Sequence, residues 1–221
     1  MKNAIFTMFA GVVLAFSATG FAQSQGKEIT KEEYYGPWRA ALQKARTLSR
    51  RNVSKTEILK DGKVSATDEW TYEYVLPDRI RYIHKETEGD ITRQTEQIDM
   101  GKTKYCRRGN GPWEKIQSPC IGGGAGGIPS TISASYSVEN TKADKQDVKL
   151  FRQYITYKDT FSKNKENEGL SYYETKYWLS KDGLLIKEEI RYGFVDSKMV
   201  KRITVGTYEY DQNIKIEAPI K

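Results

Sequence analysis

From Val53 onward, apolar and polar residues alternate with a period of two. Trp70, Tyr72 and Tyr74 alternate with Glu69, Thr71 and Glu73, and Ile80, Tyr82 and His84 alternate with Arg79, Arg81, Ile83 and Lys85. Such alternation puts one set of side chains on each face of a β-strand. Further runs cover Tyr173 to Leu179, Leu184 to Tyr192, Met199 to Tyr208 and Ile214 to Ile216. Turn formers punctuate them at Asp61-Gly62, Pro77-Asp78, Glu88-Gly89-Asp90, Lys181-Asp182-Gly183 and Asp211-Gln212-Asn213. Strands joined by such short turns pair antiparallel.

Ahead of the strands the period changes. Lys31 to Ser49 places Tyr34, Trp38, Leu42 and Ala45 near one helical face. Thr30 and Glu33 have capping-box spacing, and acids lead while bases close the segment, as the helix dipole favours. Gly36-Pro37 offers a second start, because a first-turn proline is welcome and a residue before proline avoids helical geometry. One amphipathic helix and a large antiparallel sheet predict an α+β domain. Ile121 to Ser130 is glycine-rich and uncharged, and Thr131 to Ala143 is weakly patterned. Together they read as a flexible connection followed at most by a short helix. The glycine-rich part is either a flap over a cavity or a plain surface loop.

The first residues carry a different signal. Lys2, an apolar run from Ala4 to Phe16 and the small-residue step Gly20-Phe21-Ala22 predict a signal peptide over 1–22, cleaved near Ala22. One domain over 23–221 is then expected in a periplasm or outside the cell. No later apolar segment approaches spanning length, so an integral membrane protein is not expected. In an oxidising compartment Cys106 and Cys120 are expected to form a disulfide, since a redox pair would more often be C-x-x-C.

The formal charge of +7 at pH 7 is spread along the chain in mixed signs, and export argues against a nucleic-acid partner. His84 is the single histidine and sits in a strand pattern, which makes it a packed or half-exposed residue before a general base. No G-x-S-x-G elbow, H-x-x-x-H pair or phosphate loop is present, so neither an enzyme nor a metal or other cofactor is expected. Acids such as Asp68 and Glu69 read as exposed strand positions. The 15 tyrosines and 4 tryptophans change the picture more. Their alternation gives one sheet face a broad apolar surface with polar tips, which either packs under the helix or lines a cavity for an amphiphile.

The step Pro77-Asp78-Arg79-Ile80-Arg81, the hairpin Tyr177 to Lys187 and the ending Tyr208 to Pro219, behind a signal peptide and one leading helix, resemble the exported lipoprotein-carrier-like superfamily. That group includes outer-membrane lipoprotein-sorting carriers and mycobacterial lipid-binding lipoproteins. The resemblance implies a strongly curved antiparallel sheet, an unclosed barrel, with an N-terminal helix and a short helical lid packed on it. It also implies a non-catalytic carrier of a lipid or an acylated protein. The expected lining is Trp70, Tyr72, Tyr74, Ile80, Tyr82, Tyr177 and Leu179. A monomer with an envelope protein as partner is expected. The other reading is an envelope interaction or sensing module that binds a protein or polysaccharide.

Overall fold

The computed structural model describes residues 26–121, 131–143, 145–158, 170–195, 199–211 and 213–220. The expected signal peptide and the glycine-rich run beyond Ile121 lie outside the described residues. A short strand β1 (Lys27–Glu28) leads into α1 (Lys31–Ala45). Then follow β2 (Arg50–Lys60), β3 (Lys63–Val75), β4 (Arg79–Glu88), β5 (Ile91–Met100), β6 (Thr103–Arg108) and β7 (Glu114–Ile116). The chain ends with β8 (Thr131–Ala143), β9 (Gln146–Lys158), β10 (Leu170–Ser180), β11 (Leu185–Phe194) and β12 (Met199–Tyr210). All twelve strands belong to one antiparallel sheet in the order β1-β8-β9-β10-β11-β12-β2-β3-β4-β5-β6-β7. Its two edges, β1 and β7, do not meet, so the barrel is unclosed. Neighbouring strands twist by roughly 20–25° relative to one another, so a sheet this broad does not stay flat.

The helix starts at Lys31 and runs through Pro37. Thr30 accepts a hydrogen bond from the Glu33 amide at 3.2 Å, and the Glu33 carboxylate accepts one from the Thr30 amide at 2.7 Å. Proline normally forces its predecessor out of the helical region through a clash with that residue's Cβ, and Gly36 has none. The helix ends at Ala45 and not at Ser49, and the chain enters β2 at Arg50, three residues before the alternation from Val53 is evident.

Two expectations are corrected, over Thr131–Ala143 and at Ile214 and Ile216. Thr131–Ala143 is no flexible connection with a short helix; it is β8, paired with β9 along its whole length. Among the described residues α1 is the one helix, so the helical lid is not seen. Ile214 and Ile216 are buried, yet their segment is not a strand. It packs as an irregular tail, and the Ile216 carbonyl accepts a 2.9 Å hydrogen bond from Arg79 Nη1.

The core lies where α1 crosses β8, β9 and β11. Tyr34 and Ala41 of the helix pack on Phe151, Tyr177, Leu179 and Leu185 of the sheet. The Phe151 and Tyr177 rings stack at 4.7 Å, and Tyr34 meets Tyr177 edge-on at 5.0 Å. The opposite face carries ion pairs. Arg51 pairs with Glu73 at 2.6 Å, Arg81 with Glu96 at 3.0 Å, Arg107 with Glu96 at 2.6 Å and Arg152 with Glu139 at 2.6 Å. The face under α1 is thus aromatic, while the opposite face combines these ion pairs with the stacked rings of Tyr154 and Tyr172 and the buried Leu150 and Ile98.

Candidate functional site: an aromatic row beyond the helix

Register defines which side chains share the helix-bearing face. Phe151, Tyr177, Glu188, Gly206, Ser54, Trp70 and His84 are successive cross-strand partners from β9 to β4. One step along the strands, Tyr208, Asn52, Tyr72, Tyr82, Gln97 and Cys106 form the next row. A further step gives Tyr210, Arg50, Tyr74, Ile80 and Asp99. The aromatic residues of β3 and β4 therefore continue the same surface that forms the core under α1.

Of the expected lining, Trp70, Tyr72, Tyr74, Ile80 and Tyr82 come together as three adjacent cross-strand pairs. Trp70 stacks on His84 at 3.9 Å, Tyr72 meets Tyr82 edge-on at 5.2 Å, and Tyr74 is paired with Ile80. All five are half-buried. Burial raises the phenol pKa of both Tyr72 and Tyr82, so both rings enter contacts uncharged. Tyr177 and Leu179 lie elsewhere on this face, buried in the core under the helix. The Tyr177 hydroxyl donates to the Tyr34 carbonyl of α1.

Several polar groups of this face have assignable partners. His84 Nε2 lies 2.7 Å from Asp68 Oδ1. Glu69, next in sequence, points to the other face and reaches Lys85 at 3.7 Å. Glu188 takes a 3.3 Å hydrogen bond from the Tyr208 hydroxyl, and burial pushes its carboxyl above the ordinary value. Several acids that look exposed in the sequence are buried: Glu73, Glu96 and Asp99. Burial alone would raise the Glu96 carboxyl, but hydrogen bonds from Arg107 and Arg81 outweigh it and hold the group below the usual range. Among the described residues no group of three or more His, Cys, Asp or Glu side chains is arranged to hold a metal ion.

Cys106 and Cys120 form a disulfide, with Cα atoms 6.2 Å apart. It straps the chain over β5, where Gln97 Oε1 accepts from the amides of Cys120 at 2.9 Å and Ile121 at 3.2 Å. Gln97 is the cross-strand partner of Tyr82, so the strap borders the aromatic row. A separate cleft of about 360 Å³ lies at the opposite sheet edge, between α1 and β8–β9, with Lys27, Glu33, Val138, Lys149 and Phe151 in its wall. Its mixed-charge lining is unlike the row on β3 and β4.

Sequence reading missed Arg50. Its guanidinium lies 5.5 Å from the Tyr72 ring centre and 4.7 Å from that of Tyr74, and Nη1 donates to the Ala45 carbonyl at the helix end at 2.7 Å. The signal was present in the parity: Arg50 shares the face of Asn52 and Ser54, while Arg51 takes the other.

Fold and site together define a one-sheet α+β protein whose helix-covered core runs on into an aromatic surface that α1 does not reach. No helix of the described residues is long and apolar enough to cross a membrane. No family model and no curated protein matches the chain. Among solved structures it is similar to lipoprotein LppX of Mycobacterium tuberculosis, with 11% identity, a TM-score of 0.45, and 85% of this chain and 100% of that one covered. It is also similar to LprF of Mycobacterium bovis, with 10% identity, a TM-score of 0.44 and coverage of 86% and 98%. A putative outer membrane lipoprotein-sorting protein domain of Vibrio parahaemolyticus follows, with 10% identity, a TM-score of 0.28 and coverage of 83% and 94%.

Proposed function

We propose that this chain is an exported, non-catalytic binding protein that carries a lipid or a lipid-modified protein in the bacterial envelope. It acts as a monomer in the periplasm or outside the cell, after cleavage near Ala22. The observation that carries the reading is the continuity of Trp70, Tyr72, Tyr74, Ile80 and Tyr82 with the core face, beyond the reach of α1. A half-buried aromatic surface of this kind gains about 25 cal/mol for each Å² of apolar area removed from water. Acyl chains can supply that cover without any directional bond. Tyr177 and Leu179 then form the part of the lining that lies beneath the helix.

The test is native mass spectrometry on protein purified from an exported fraction without detergent, followed by organic extraction. The expected result is a discrete added mass that leaves on extraction and is a lipid. A clean unliganded mass, with no uptake of a fluorescent fatty acid, contradicts the reading.

A further inference from the structure

We propose that Arg50 anchors the head group on this aromatic face, and that the ligand is an anionic amphiphile bearing a carboxylate or phosphate on an acyl chain. The inference rests on the lipid-binding reading above and narrows its ligand class.

The argument is a contrast among arginines. Six arginines are partly buried: Arg50, Arg51, Arg81, Arg107, Arg152 and Arg191. Five of them lie on the face opposite the helix, and each meets a carboxylate: Glu73, Glu96, Glu96, Glu139 and Glu189, at 2.6 to 3.0 Å. Arg50 alone points to the aromatic face, and among the described residues it has no carboxylate within ion-pairing distance. Its hydrogen bonds go to neutral groups, from Nη1 to the Ala45 carbonyl at 2.7 Å and to the Tyr72 side chain. That leaves the guanidinium with partners that carry no charge. Two carboxylates of the same face are engaged elsewhere, Asp99 by Lys104 at 2.6 Å and Glu188 by the Tyr208 hydroxyl.

A partly desolvated guanidinium without a counter-charge is costly, and proteins normally pair it. The rings of Tyr72 and Tyr74 hold it by cation–π contact but do not neutralise it. A carboxylate or phosphate would, through the charge-assisted bonds that the planar guanidinium favours. The position also fits an amphiphile. Arg50 stands at one end of the row, opposite Tyr74, while Tyr72, Tyr82 and Trp70 lead away from it along the strands. A head group at Arg50 leaves its chain along these residues.

The experiment titrates the full chain with oleate, methyl oleate and an oleoyl lysophosphatidate, following intrinsic tryptophan fluorescence. The two acids should bind about 10- to 100-fold more tightly than the ester, the range expected of one charge-assisted hydrogen-bonded contact. The tighter of the two names the head group. Arg50→Gln should bring both acids down to the ester's affinity, while Arg50→Lys, which keeps the charge, should retain a preference for them. Equal affinity of the wild type for acid and ester overturns the anchor while leaving the lipid-binding reading intact, as does a preference that survives Arg50→Gln. Failure of all three ligands to bind overturns both.

Discussion

The hydroxyl of Tyr177 in β10 donates to the main-chain carbonyl of Tyr34 in α1. This contact fixes the helix over one half of the sheet and thereby decides which aromatic residues become core. The ring is almost fully buried, so no water replaces the lost donor. Tyr177→Phe should cost about 0.5–1.5 kcal/mol. Urea denaturation would show the loss as a lower midpoint with unchanged slope.

The face opposite the helix makes its own prediction. Glu96 is buried and receives Arg81 and Arg107 together. Glu96→Gln should destabilise by about 1–3 kcal/mol, the low end reflecting the partial exposure of both arginines. The native carboxyl titrates below its unfolded value. Its contribution is therefore present above the unfolded pKa and is lost as pH falls through the folded one. The gap between wild type and variant in urea melts should close on the acid side, below the ordinary glutamate value of 4.5.

Glu188 behaves with the opposite sign. Burial raises its native pKa, with the Tyr208 hydrogen bond only partly offsetting that. The native state then holds the proton more tightly than the unfolded chain, and stability falls as pH rises through the shifted value. Glu188→Gln should raise the melting temperature at pH 8 and leave it nearly unchanged at pH 4. Calorimetry at the two values checks this, and a loss of stability at pH 8 would contradict it.

The disulfide closes a loop with a sequence separation of 14. Replacing both cysteines by alanine should cost roughly 3 kcal/mol in the chain-entropy model. Thermal melts of the double variant, set against the reduced wild type, measure it. The two should agree if loop closure dominates.

The legible part of this fold was its one-sided strands. β3 and β4 alternate aromatic with charged residues around Pro77-Asp78, so both strand and face could be assigned from sequence. The capping box of α1 was equally plain. β5 escaped because its buried positions Glu96, Gln97 and Asp99 resemble solvent-facing ones; only the arginines and the disulfide strap brought by neighbouring segments make them interior. β8 escaped because Thr131 to Ser135 is uncharged and small apart from an exposed Ile132, and its pairing with β9 supplies the order. Ile214 and Ile216 misled in the other direction: they alternate as in a strand but pack as a tail. For the candidate site, periodicity gave the five residues of β3 and β4. It could not divide them from Tyr177 and Leu179, since the division depends on where the helix lands. Arg50 was hidden beside Arg51, because adjacent strand residues point to opposite faces and only the register shows which is left unpaired.

Quenching by a brominated fatty acid tests the central claim most directly, because bromine quenches only tryptophans that it touches. Trp70 lies on the proposed face, whereas Trp178 contacts Lys187 and Trp113 lies against Arg107, both residues of the opposite face, and Trp38 of α1 packs against the core. Strong quenching of the wild type that largely disappears in Trp70→Phe is the predicted result. Quenching that is unchanged in Trp70→Phe, or absent from the wild type, would contradict the placement of the ligand on this face.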